Sequence, residues 1–118
     1  MVTERRHEKW RLYALKKVRK AINMKFIEYA IPNVGKIKQH DVNINEVVKQ
    51  HVTYLEQKNA EGLLVFAGTT TDGTGGLIVY DVSDEATRDR VVQEDPLYLS
   101  ESMDITIHPF ETFENITS

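Results

Sequence analysis

The chain has 118 residues, 41% of them hydrophobic and 28% charged, and a net charge of −3; these proportions describe one globular domain with a single core. It contains no cysteine, which excludes a disulfide framework, a thiolate nucleophile and the cysteine-rich zinc sites. No apolar run reaches the length of a membrane span, and the N-terminus lacks the apolar core of a secretory signal, so the expected location is the cytoplasm.

The charge is unevenly distributed. Residues 1–23 carry eight Lys or Arg against two Glu, and residues 24–118 carry seven against sixteen. The expected organisation is therefore a basic N-terminal extension over 1–23 and a folded, acidic domain over 24–118. The extension places Trp10, Ala14, Val18 and Ala21 on one helical face, an amphipathic pattern suited to an anionic membrane surface, an acidic partner, or the acidic body of the same protein. Glu4 and Glu8 argue against an organelle presequence. An alternative reading starts the native chain at Met24.

From Met24 the elements follow in order. Lys25–Ile31 is rich in β-branched and aromatic residues and reads as a strand that Pro32 breaks. Residues 33–43 read as a polar loop. A helical period begins near Asn45, with Asn43 or Asn45 as N-cap, and runs to a glycine stop at Glu61-Gly62. Leu63–Ala67 and Leu77–Val82 are short apolar runs, the first expected to be a strand covered on both faces. Between them lies the sequence GTTTDGTGG.

That stretch invites comparison with a phosphate-binding loop. Gly68 and Gly73 have the required separation, but Thr74 stands where a lysine is needed, and a strand follows instead of a helix. It is read as a hairpin with its turn at Asp72-Gly73. Ser83 or Asp84 then caps a second helix to about Glu94, ended by Asp95-Pro96. Met103–His108 alternates as a last strand. The order β-α-β-β-α-β predicts a ferredoxin-like α+β fold, a four-stranded antiparallel sheet with both helices on one face. Apolar residues on both sides of the middle strands leave the second face in need of cover; a homodimer formed through this open sheet face is the economical solution.

Among the histidines, His51 falls on the Val47-Val48-His51-Leu55 stripe of the first helix. It is either a core histidine with one partner or a proton carrier, imidazole being the side chain that titrates near neutrality. Asp95, placed at the C-terminal end of the second helix, has the wrong sign for the helix dipole unless a cation lies nearby. The topology puts His51 within its reach. The plainer alternative is that Asp95 only starts the turn before Pro96.

The segments EVVKQHVTYLEQKNAEGLLVFAG and GTGGLIVYDVSDEATRDRVVQEDPLYLSESMDITIHPF are similar to the YCII-related domain family, whose pattern they follow in order and spacing over about Lys25 to Phe110. The resemblance implies a ferredoxin-like domain that pairs into a dimeric α/β barrel. It also implies a site made of His51 and Asp95 that performs cofactor-free, metal-free proton transfer next to a carbonyl, as isomerase or dehydrohalogenase, on an unidentified small molecule. Tyr29, Glu28 and Tyr98 are the expected substrate-binding residues. The family's frequent arginine upstream of the histidine is replaced here in the Val48-Lys49 region, and Leu97 precedes Tyr98 where an aromatic residue commonly follows Asp-Pro.

Two other functions are compatible with this element order. RNA-recognition modules share the element order, but their third strand carries basic and aromatic residues; GGLIVYDV has one aromatic and no base, and an acidic body repels phosphate. Nucleic acid is therefore not an expected partner. The other rival is a non-catalytic ligand-binding or scaffold dimer. A histidine lining an open cleft separates an enzyme from that alternative.

Overall fold

The computed structural model describes residues 23–117. The basic, amphipathic extension expected over residues 1–23 lies, apart from Asn23, outside the described residues.

Four strands form one antiparallel sheet in the order β2-β3-β1-β4, with β1 at Met24–Pro32, β2 at Leu64–Thr69, β3 at Gly76–Val82 and β4 at Met103–Phe110. The two principal helices are α2, Ile44–Ala60, and α3, Glu85–Gln93. This is the expected ferredoxin-like α+β architecture. Asn43 caps α2 by accepting the Glu46 N–H, and Asp84 caps α3 by accepting the Thr87 N–H, each satisfying a donor that the first turn leaves free. Gly62, at φ +79°, follows the C-cap Glu61 of α2 in the left-handed region that glycine adopts without strain.

Four local readings need correction. Residues 33–43 are not a plain loop: α1, Val34–Gln39, lies within them, capped by Asn33. It buries no residue and contains Gly35, so no amphipathic period announces it. A further short helix, α4 at Pro96–Leu99, follows Asp95 directly. Strand β2 is not covered on both faces, being exposed from Val65 to Thr69, because it is the sheet edge. The last strand continues through Pro109 to Phe110; β4 is the opposite edge, where proline's missing N–H costs no ladder bond. A five-residue helix, α5 at Phe113–Thr117, closes the described chain.

Cross-strand register assigns each side chain to a face. Phe26, Glu28 and Ala30 of β1 stand opposite Tyr80, Ile78 and Gly76 of β3, and this set points towards the helices. The core occupies one end of that face: Phe26, Ile78, Tyr80 and Val82 pack on Val91 and Val92 of α3, with the Phe26 and Tyr80 ring centroids 5.2 Å apart. The other end is built differently, from Ala30, Ala67, Gly68, Gly75 and Gly76. Small residues there leave a hollow below α2. On the opposite, open face, Ile27, Tyr29 and Leu77 are half-buried and Val79 buried, whereas Thr106 and His108 of β4 are exposed.

Candidate active site

The hollow has a volume of about 480 Å³ and is lined by Val48, His51, Val52 and Leu55 of α2, by Ala67–Thr69 of β2, by Gly73 and Gly75 of the hairpin, by Gly76–Ile78 of β3, and by Ala30, Pro32, Leu97 and Met103. Its size is that of a small-molecule site. The helical stripe that sequence periodicity assigned to the core thus serves mainly as a pocket wall: Val48 and Val52 are 44% and 47% exposed, and Tyr54 is the buried residue of α2.

The glycine-rich stretch is the floor and rim of this pocket. Its turn is closed by its own side chains: the Thr74 and Gly75 N–H groups donate to Thr70 Oγ1, the Gly73 N–H donates to the Thr70 carbonyl, and the Thr74 hydroxyl donates to Asp72 at 2.7 Å. The hydrogen bond from the Thr74 hydroxyl, followed by those from the Thr70 side chain and the Thr74 N–H, holds the Asp72 carboxylate below its usual range. With its amides committed internally, the loop is a hairpin turn and not a phosphate cradle.

His51 and Asp95 meet at the pocket's inner edge. His51 Nδ1 lies 2.9 and 3.0 Å from the two carboxylate oxygens of Asp95. Asp95 is completely buried, and His51 keeps 12% of its side-chain surface accessible. A carboxylate accepts, so Nδ1 donates in this bond, and in the neutral ring that leaves the lone pair on Nε2; among the described residues, Nε2 has no hydrogen-bond partner. Asp95 Oδ1 also accepts the Leu97 N–H at 2.9 Å, as N-cap of α4 with Pro96 at the first helical position. The expected clash with a helix C-terminus is therefore offset twice, by the imidazole and by the first turn of α4. Reaching His51 and starting a turn, set apart as alternatives from the sequence, are both what Asp95 does.

The other three expected site residues go elsewhere. Glu28 is fully buried behind the pocket wall, and neither of its carboxyl oxygens has a hydrogen-bond partner. Burial, and after it the charge of Asp95, push its carboxyl up to about 8. Tyr29 lies on the open sheet face, packed against Gly75. Tyr98 is 45% exposed on α4 and lines a separate hollow with Lys36, Gln39, His40, Leu99, Glu101, Met103 and Ile105. Sequence reading places Tyr54 on the apolar period of the helix but gives its hydroxyl no role; that hydroxyl donates to the Val91 carbonyl at 2.8 Å, and the phenol is raised by burial, then by Asp95. The same reading missed the pocket role of Val48, which it placed on the helical stripe, and of Val52, which it did not place there. Among the described residues no three His, Asp or Glu side chains group as a metal site.

Residues 24–111 match the pattern of the YCII-related domain. The chain belongs to the YCII-related domain family. Among solved structures it is similar to the 5-chloro-2-hydroxyhydroquinone dehydrochlorinase of Burkholderia phenoliruptrix AC1100, in complex with 2,5-dihydroxybenzoquinone, with a TM-score of 0.61 and 17% identity over 78% of this chain and 98% of that one. At that identity the likeness shows the fold alone, the ferredoxin-like α+β arrangement described above. It is also similar to an antibiotic biosynthesis monooxygenase-type protein of Bacteroides thetaiotaomicron, with a TM-score of 0.49 and 14% identity over 77% of this chain and 90% of that one. A third similar structure is Rv0793 of Mycobacterium tuberculosis, with a TM-score of 0.44 and 12% identity over 77% of this chain and 98% of that one. No curated protein sequence matches the chain. No described helix is long and apolar enough to cross a membrane.

Proposed function

We propose that this YCII-related domain is a small-molecule enzyme that works without a cofactor, by isomerisation or elimination, with His51 as the proton carrier and Asp95 as its orienting carboxylate. The carrying observation is the His51 Nδ1–Asp95 hydrogen bond at the wall of a 480 Å³ pocket. With Nδ1–H fixed on Asp95, Nε2 is the base. It removes a proton from a carbon beside a carbonyl, and the electron pair passes into the enolate. The imidazolium then returns the proton to another carbon of the conjugated system; in the elimination branch the enolate pair instead forms the new C=C bond as chloride leaves with the C–Cl pair, and the imidazolium gives its proton to solvent. Asp95 stabilises the imidazolium between the two steps.

The lining supports a neutral ring as substrate. It contains no Lys, Arg, Asp or Glu, so a substrate carboxylate finds no counter-charge there and meets the buried Asp95 behind His51. The similar dehydrochlorinase structure holds 2,5-dihydroxybenzoquinone, a ring compound of the size this pocket admits. The dimer is proposed to form by pairing of the open sheet faces, which bear exposed Ile31 and Phe66 beside half-buried Ile27, Tyr29 and Leu77.

The test is turnover of neutral chlorinated hydroxyquinols, cyclic ketones and lactones by wild type and His51→Ala. Proton transfer through His51 requires a large loss in the variant; equal turnover ends the proposal. Ring ligands that bind both proteins equally and are converted by neither identify a non-catalytic binding dimer instead.

A further inference from the structure

Glu28 occupies the boundary between core and pocket. Along the inward face of β1 the order is Phe26, which is core, then Glu28, then Ala30, which lines the pocket. Its register partner on β3, Ile78, belongs to both, and its partner on β4, Ile107, packs on the core. The side chain is 0% exposed, and neither carboxyl oxygen has a hydrogen-bond partner. An ionised carboxylate in that place is strongly disfavoured.

The polar and titratable groups around it come from three directions. Helix α2 contributes Tyr54, whose hydroxyl is committed to Val91, and reaches the region a second time through His51, which is bound to Asp95. Strand β3 contributes Tyr80, its hydroxyl buried without a partner. The α3–α4 junction contributes Asp95, and β4 contributes the uncharged Ile107. Two carboxyl groups therefore share one buried region, and one of them holds the imidazole. Asp95 has both the imidazole N–H and the Leu97 N–H, while Glu28 has neither. Like charges in such a space do not both ionise, and the better-solvated group takes the charge.

We propose that Glu28 is a positioning residue that holds a proton at neutral pH and so limits the region behind His51 to the single negative charge of Asp95. This rests on the reading of His51 as proton carrier for its purpose, but not for its detection. When Glu28 ionises, a second negative charge joins Asp95 and holds the proton on His51 more firmly, so the base is less available on the alkaline side. Burial and Asp95 place that ionisation at about pH 8.

The experiment is NMR titration of the ligand-free protein, following the Glu28 carboxyl carbon and the His51 ring signals from pH 5 to pH 10. The expected wild-type result is a carboxyl midpoint near pH 8 with an inflection of the His51 signals at the same pH. Glu28→Gln, neutral throughout, is expected to lose that inflection. A Glu28 midpoint in the ordinary carboxylate range, or identical His51 curves in both proteins, overturns the proposal. The wild-type carboxyl titration decides the matter even if the variant does not fold. Because no substrate is used, the inference and the catalytic reading fail separately: the former on these curves, the latter on His51→Ala turnover.

Discussion

His51 of α2 and Asp95 at the start of α4, 44 residues apart in the chain, share a two-oxygen hydrogen bond at 2.9 and 3.0 Å. The bond fixes which ring nitrogen faces away from the carboxylate. It also joins the long helix to a four-residue helix whose first turn the same carboxylate caps.

Because Asp95 does two jobs, its substitutions separate them. Asp95→Asn retains a carbonyl oxygen that can accept from Leu97 N–H but loses the charge that stabilises the imidazolium. Turnover is expected to fall about 10²–10⁴-fold with the fold retained. Asp95→Ala also removes the cap and leaves a buried N–H unpaired, for a further loss of about 1–3 kcal/mol of stability. Steady-state kinetics and denaturant melts on both variants check the split; equal melting midpoints for Asn and Ala contradict the capping role.

Glu28 links folding to pH in a direction opposite to a salt-bridged carboxylate. Its folded-state value is raised from the usual 4.5 to about 8. Between those pH values the native state holds a proton that the unfolded chain has released, so stability is highest below the window and declines as pH rises through it. The slope from this residue is at most about 1.4 kcal/mol per pH unit. Melts at intervals from pH 5 to pH 9 are expected to show the decline in wild type and a flatter curve in Glu28→Gln.

The hairpin glycines differ in what they tolerate. A Cβ at Gly75 would stand 2.9 Å from Tyr29 Oη and 3.0 Å from the Ala30 carbonyl oxygen, whereas nothing lies within 4 Å of one at Gly68. Gly75→Ala is expected to cost about 1–3 kcal/mol through overpacking, with Gly68→Ala near neutral. Gly73→Ala is expected to cost about 1 kcal/mol or somewhat more, because its φ of +73° is left-handed. Thermal melts rank the three; a Gly75→Ala protein as stable as Gly68→Ala refutes the close-approach argument.

Phe66, 56% exposed on edge strand β2 and opposite Val79 on the open face, is a sensitive reporter for the proposed dimer. A charge there would be desolvated by a second sheet, so Phe66→Glu is expected to shift sedimentation from dimer to monomer while leaving the monomer folded. Wild type sedimenting as a monomer at all concentrations removes the dimer proposal.

Much of the fold was already written in local chemistry. The periods of two and 3.6, the caps Asn43 and Asp84, and the stops at Gly62 and Pro96 are short-range preferences. They specify strands and helices wherever the chain goes, and their order admits few sheet topologies. The same locality made His51 and Asp95 recognisable as candidates, each by its own position on or beside a helix. Tertiary structure decided what depends on distance between segments. It joined the imidazole to the carboxylate, made Asp95 a cap as well as a partner, and turned the apolar stripe of α2 into a wall, since the glycines and alanines opposite supply too little volume to fill the space. It also sent Tyr29 and Tyr98 away from that pocket and sealed Glu28 behind it: alternation along a strand tells which side chains share a face, but only the packed neighbours determine whether that face meets water, core or ligand.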